Sequence, residues 1–448
     1  MTLTESPVFK TLLRMSVPMS WGIFSIIGFN LADTYFIGNL GTKELAAISL
    51  TFPVVTFFAS VALGVATAGS SLISRSLGEN NPEKTRRITS DMMTFALILV
   101  IFLVFIGFSS MDFIFGLLGA GPDVMPLIKE YMSVWYPGMI FVALPMAGNG
   151  AIRAQGDAKT ASLIMMVAGL TNVALDPILI FGWGPIPALG MQGAAIATVI
   201  ARGFTMAASL YILHFKYQML DFKRPKFQKA LESWKEILFI GAPAAGANMI
   251  TPITLSVVTA IIARISEESV AAYGVVSRIE SFALIFILAV SSSMGPIVGQ
   301  NFGAQKIKRI QKALNSSVMI AMVWSAFMAF LLSTFGALIM PLFNSDSEVA
   351  RVGGYYFQIV PISFGFLGMR LIACSSYNAI GKPFSSTMLV VINLLILYLP
   401  LVVLGSRYFG MKGVFYAGAV SNIITGILSF YLIRSTISSH MHAEADAA

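Results

Sequence analysis

The sequence predicts an all-α polytopic membrane protein, with twelve transmembrane helices in two pseudo-symmetric six-helix lobes. Three observations predict it. With 56% hydrophobic residues, 11% charged residues and a mean hydropathy of +0.81, the chain carries more apolar surface than a water-soluble globule of 448 residues can bury. Twelve apolar stretches are each long enough to cross a hydrocarbon core about 30 Å thick as a helix. The two halves also match at an offset of about 225 residues. Pro18 pairs with Pro243, Ala46 and Ala47 with Ala271 and Ala272, Gly78 with Gly303, and Gly156 with Gly381. With a few residues of slippage, Gly190-Met191-Gln192-Gly193 meets Gly410-Met411-Lys412-Gly413.

In order, the stretches run approximately over 12–38, 45–74, 90–117, 127–152, 160–183 and 190–215, then 236–262, 269–298, 313–342, 352–378, 384–405 and 411–434. They define an amino-terminal lobe (1–215), a linker (216–235), a carboxy-terminal lobe (236–434) and a polar tail (435–448) expected to be unstructured. Glycine and proline inside the spans are tolerated, because neighbouring helices re-satisfy freed backbone groups. The first stretch is too long for a signal-peptide core and is followed by further spans. The single cysteine, Cys374, has no internal disulfide partner and reads as core packing.

Lys and Arg set the orientation. One set of loops carries Lys10, Arg14, Arg75, Lys84, Arg86, Arg87, Arg153 and Lys159, the run from Lys216 through Lys223, Arg224, Lys226 and Lys229 to Lys235, then Lys306, Lys308, Arg309, Lys312, Lys382 and Arg434. The alternate loops hold only Lys43, Lys129, Arg264, Arg351, Arg407 and Lys412. The positive-inside rule makes the first set, the linker and both termini cytoplasmic. The net charge of +8 is thereby explained without nucleic acid.

Against this background two carboxylates stand deep in apolar sequence, and only in the first half. Asp33 faces Val258 in the repeat, and Asp176 faces Leu399 or Leu401. Isolating a carboxylate in lipid is costly, so each must face protein or a wet cavity, and repeat interfaces are where substrate and ion sites gather. Asn172 lies one helical turn before Asp176, and Pro177 removes the donor that would serve the Val173 carbonyl. Asn172, Asp176 and this backbone present several oxygens together, which suits Na⁺ or a shared proton. If Asp33 approaches them, the two acids titrate as a coupled pair. A lone intramembrane aspartate can instead serve structure alone, bonding a hydroxyl or an arginine.

The second half holds Arg278, Glu280 and Arg370 inside spans, where opposite charges are expected to neutralise one another. Arg202 reads as a structural charge in or beside the sixth span, and Asp112 as an acid within reach of water. An enzyme would need a nucleophile or metal constellation. His214, His440 and His442 all sit at a cytoplasmic helix end or in the tail, and the two in the tail make a poor metal site. Neither a metalloprotease helix motif nor a nucleophile elbow occurs.

The chain resembles the multidrug and toxic compound extrusion (MATE) family over essentially its full length. The resemblance is carried by SVPM at Pro18, DTYFIGNLG from Asp33, AIRAQGD from Ala151, NVALDP from Asn172, GMQGAAIAT from Gly190, and the second-half echoes RIES and YNAIGKP. It implies an exporter of cationic or amphipathic drugs and toxins, driven by inward H⁺ or Na⁺ through alternating access, needing no cofactor and working as a monomer in the bacterial inner membrane. It further implies a cation-coupling site on Asp33, Asn172, Asp176 and Thr198, with Tyr131 nearby, and a first helix that bends at Pro18. The acids that the NorM-like branch carries in helices seven and ten are missing, apart from Glu236 at a cytoplasmic end. That favours the DinF-like branch and leaves Glu280, with Arg278 and Arg370, as the carboxy-lobe candidates. Tyr35, Phe36, Phe141 and Met191 could furnish an adaptable apolar wall or serve ordinary packing. A lipid or lipid-linked oligosaccharide flippase of the wider superfamily is the alternative, expected to show extra helices and a basic cavity. A passive channel is a third, distinguished by flux against a substrate gradient.

Overall fold

The computed structural model describes residues 3–221, 227–342 and 346–447, with side chains left undescribed at 227, 337, 342 and 441–447. The helices of the first half are α1 (Val8–Gly38), α2 (Thr42–Gly78), α3 (Pro82–Ser109), α4 (Met111–Leu117), α5 (Met125–Gly138), α6 (Ile140–Ala154), α7 (Ala158–Phe181) and α8 (Gly190–Tyr211). Those of the second are α9 (Phe227–Ala263), α10 (Glu267–Ala283), α11 (Ile285–Gly303), α12 (Ile307–Ile339), α13 (Ser347–Ile359), α14 (Phe364–Ala379), α15 (Pro383–Val391) and α16 (Leu399–Ala447).

Among the described residues ten helices are long and apolar enough to cross a membrane. The last, Pro383–His440, contains two of the expected spans. It turns at Gly410, whose φ of +57° lies in the left-handed region, and the backbones of Gly405 and Gly413 meet across the turn. The span expected at 127–152 is α5 plus α6, broken after Pro137 and Gly138. The twelve expected crossings are thereby accounted for. Large apolar side chains remain outside, as lipid-facing helices require; Phe105 is 70% exposed.

The internal repeat is written in the backbone. Asn80 and Gln305 are left-handed at φ of +58° and +56°, and Gly156 and Gly381 at +86° and +81°. Each pair is separated by the offset read from the sequence and closes a turn between helices. The capping differs: Asp157 caps α7 through its side chain, whereas Lys382 at the equivalent turn makes no side-chain cap and Pro383 opens α15 instead.

The chain divides into two compact units. One comprises Trp21–Leu77 and Asn81–Ala245; the other comprises Met1–Ser20, Gly78–Asn80 and Gly246–Ala448. The first segments of α1 and α9 thus each belong to the unit built mainly from the opposite half, and both changes come just after the repeat-related Pro18 and Pro243. The amino-terminal unit has two apolar cores, one around Met92, Ala147 and Ile237, the other around Phe58, Trp135 and Tyr136. The carboxy-terminal core gathers around Val276, Phe357 and Phe415.

Within the expected linker, α9 is already helical from Phe227, and Trp234 donates its indole N–H to the Asp91 carbonyl at 3.0 Å. Lys223, Arg224 and Lys226 lie outside the described residues. The tail differs from expectation, because α16 continues to Ala447. Ile433 and Ile437, one turn apart, are both buried, and the Tyr377 and Thr436 hydroxyls lie 3.2 Å apart, so the first part of the tail has packing to hold it. The side chain of His442 is not among those described. Asp112 is exposed as expected and pairs with Lys129 at 2.6 Å.

Candidate functional site

Small residues bring α1 against α7: Gly22 faces Ser162 and, further along both helices, Ser25 faces Gly169. Both indices rise together, so the helices run parallel. About 11 Å further along each, at a rise of 1.5 Å per residue, stand Asp33 and Asp176. Helix α8 is drawn onto α7 by Gly193, where a Cβ would lie 2.3 Å from the Leu179 carbonyl oxygen, and by a 3.0 Å bond from the Leu189 N–H to that same oxygen. This places Thr198 opposite Asn172.

The resulting cluster lies wholly within the amino-terminal unit. The Asn172 amide nitrogen donates to Asp176 Oδ1 and to Thr198 Oγ1, each at 3.3 Å. Asp176 and Asn172 are buried and Asp33 is half-buried. The Asp33 carboxylate acts electrostatically on Asp176, and both act on the buried Tyr131 of α5. Among the described residues no hydrogen-bond donor reaches three buried oxygens of the cluster: Asp33 Oδ1, Asn172 Oδ1 and Asp176 Oδ2. Buried acceptors are rarely left unmet, and two neighbouring carboxylates are not stable as a bare dianion. A cation, or a proton held by the pair, is the charge such a cluster can take.

Pro18 sits inside α1, which runs helical through it. It removes the N–H that would donate to the Arg14 carbonyl. The Ser20 hydroxyl two residues on donates to Ser16 O at 2.9 Å. Arg202 stacks its guanidinium 5.2 Å from the Phe29 ring centroid, a structural role as expected.

In the carboxy-terminal unit the neutralisation expected among Arg278, Glu280 and Arg370 takes the form of an ion pair at neither Arg278 nor Glu280 among the described residues. Residues two apart on a helix point to different faces, and Arg278 is exposed while Glu280 is half-buried. Glu280 and Arg370 instead both line a cavity of about 520 Å³. Sequence reasoning missed the tyrosines that share it, Tyr273, Tyr356 and Tyr398, which come from separate helical segments. It also missed a repeat of the site's frame: Asn393 donates to Thr425 Oγ1 at 2.9 Å, as Asn172 does to Thr198. The signal was an asparagine ahead of a proline in both halves, masked by two extra residues that the π-helical segment Ile392–Tyr398 absorbs.

The MatE family model matches this chain twice, over residues 18–178 and 243–404, which reproduces the repeat. A relative from Shewanella oneidensis described as "FAD transporter" is 37% identical over 432 residues, covering 96% of each chain. The "Multidrug export protein MepA" of Staphylococcus aureus is 28% identical over 447 residues, covering 97% of this chain and 96% of that one. The crystal structure of the Vibrio cholerae MATE transporter VcmN in the bent form superposes with a TM-score of 0.91 at 29% identity, covering 97% of this chain and 98% of that one.

Proposed function

The chain belongs to the multidrug and toxic compound extrusion family of membrane transporters, and from that membership we propose that it is an H⁺- or Na⁺-coupled antiporter exporting small organic molecules. The observation that carries this reading is the set of three donor-less buried oxygens on Asp33, Asn172 and Asp176. In the outward-open state an ion reaches this cluster from outside and neutralises the pair, with Thr198 and Tyr131 at its edge. The first helix then bends about Pro18, where the proline has already removed one backbone bond, and the cargo is expelled. Release of the ion to the cytoplasm resets the site. The membrane potential alone supplies about 2.3 kcal/mol per charge per 100 mV to drive the cycle. The transporter works in the inner membrane as a monomer with both termini cytoplasmic, needs no cofactor, and takes amphipathic cargo.

Two cargo readings follow. Cationic drugs suit the relative named a multidrug export protein. A flat aromatic anion, such as the flavin nucleotide in the other relative's name, is favoured by one specific observation: the buried, unpaired Arg370 in a cavity walled by tyrosines. The reading is tested by efflux from reconstituted vesicles under a pH gradient or a sodium gradient imposed separately, with a cationic dye and a flavin nucleotide as cargo. Gradient-driven flux of either cargo is expected, and flux that ignores both gradients would overturn the antiporter.

A further inference from the structure

The cavity of about 520 Å³ is lined by residues of the carboxy-terminal unit, and its volume falls in the range of small-molecule sites. Tyr273, Tyr356, Tyr398 and Phe415 form its aromatic wall, and Glu280 and Arg370 are its charged groups. Its buried base is unmet. Arg370 is only 8% exposed, its Nε has no hydrogen-bond partner, and among the described residues no carboxylate lies within 4.0 Å of its guanidinium. Tyr356 is 2% exposed and turns its hydroxyl towards the Glu280 carboxylate. Cys374, one turn beyond Arg370, directs its thiol to the Ser386 carbonyl at 3.5 Å and supplies no counter-charge. A buried guanidinium without an anion is costly to maintain, and it persists where a ligand supplies the anion.

The repeat sharpens the contrast. Both halves keep the asparagine–threonine bond, Asn172 to Thr198 and Asn393 to Thr425. In the first half the frame holds two acids; in the second the Asp176 position is a leucine, and the neighbouring cavity presents an arginine. One frame thus carries two acids and no base, while the other stands beside a cavity that adds a buried arginine to Glu280.

We propose that the carboxy-terminal cavity binds the cargo directly, taking a planar heteroaromatic ring that carries a phosphate group. The ring stacks among Tyr273, Tyr356 and Tyr398, and the phosphate accepts the forked donors of Arg370, a geometry that guanidinium and phosphate share. Tyr356 directs its hydroxyl to Glu280 and so orients that carboxylate, which accepts from a ring N–H. The inference rests on the reading of the chain as an exporter of aromatic cargo and assigns where that cargo sits.

The test is equilibrium binding of riboflavin and flavin mononucleotide, which differ by one phosphate, to purified protein in lipid nanodiscs, followed by flavin fluorescence without any ion gradient. The parent is expected to bind the mononucleotide at least tenfold more tightly than riboflavin. Arg370→Gln is expected to bring the mononucleotide down to the riboflavin level while riboflavin binding is unchanged, and Arg370→Lys to retain part of the preference. Unchanged riboflavin binding also shows that the variant is folded. Equal affinities in the parent, no flavin binding, a preference that survives in Arg370→Gln, or equal weakening of both ligands would each overturn the assignment. Because no gradient is applied, failure of ion coupling leaves this result unaffected, and binding without coupled flux would fault the antiporter reading alone.

Discussion

Ser25 of α1 and Gly169 of α7 approach so closely that a Cβ on residue 169 would lie 2.3 Å from the serine hydroxyl oxygen. This contact, two turns below the acidic cluster, sets the register that brings Asp33 to Asp176. Gly169→Val is therefore expected to force the helices apart, costing about 1–3 kcal/mol of stability through overpacking. Coupled transport should fall more steeply than the melting temperature, and transport assays beside thermal melts would show the separation. Full coupling in this variant would mean that the acids do not depend on the contact.

Pro18→Ala restores the backbone donor to the Arg14 carbonyl and so straightens and stiffens α1. The expected outcome is protein at least as stable as the parent, with equilibrium cargo binding retained and gradient-driven efflux reduced at least tenfold. Unchanged efflux would remove bending at Pro18 from the cycle.

Asp157 ties the start of α7 to the end of the first half. Its carboxylate accepts from the Thr160 N–H at 3.0 Å, the Thr160 hydroxyl at 2.6 Å and Lys216 Nζ at 2.8 Å, and also from the Tyr217 hydroxyl. Partial burial opposes its ionisation, but these bonds, that from Lys216 foremost, outweigh it and hold the carboxyl below the usual carboxylate range. A depressed folded pKa contributes stability that is present above the unfolded value, near 3.9, and is lost as pH falls through the folded one. Asp157→Ala should cost about 1 kcal/mol for the helix cap alone at neutral pH, and Asp157→Asn less. Melts in acid should show the difference from the parent shrinking.

The amino terminus is held by Arg309. Its guanidinium donates to the carbonyls of Ser6 at 2.5 Å, Leu3 at 3.3 Å and Glu5 at 3.4 Å, and Nε donates to Asn301 Oδ1 at 3.0 Å. Asn301 in turn donates to Leu3 O at 3.2 Å. Arg309→Ala is expected to release residues 3–6, raising their amide hydrogen exchange at least tenfold while exchange in α12 changes little. Equal protection in parent and variant would show that Arg309 is not what holds the segment.

Much of this was legible in the sequence. The spans were visible because lipid-facing helices stay apolar outside as well as inside, and the repeat because Pro18 and Pro243, and Gly156 and Gly381, recur at one offset, the glycines marking turns that need a left-handed residue. Asp33 and Asp176 announced themselves by cost alone. The neutralisation expected among Arg278, Glu280 and Arg370 gives no ion pair among the described residues, and Arg278 and Glu280, two apart on a helix, do not share a face. The carboxy-terminal cavity was not legible, because Tyr273, Tyr356 and Tyr398 converge only through packing and each alone reads as an ordinary core aromatic. The helical tail was obscured by its polar composition, which hid Ile433 and Ile437 one turn apart.

The central claim is that the ion displaced during transport sits on the Asp33–Asp176 pair. The most direct test is ion release on cargo binding: purified protein in weakly buffered solution receives a cargo that the vesicles export, with a pH-sensitive dye and a sodium-selective indicator read in parallel. Cargo is predicted to release protons or sodium from the parent, and neither ion from Asp33→Asn or Asp176→Asn. Release that persists undiminished in both variants would contradict the account.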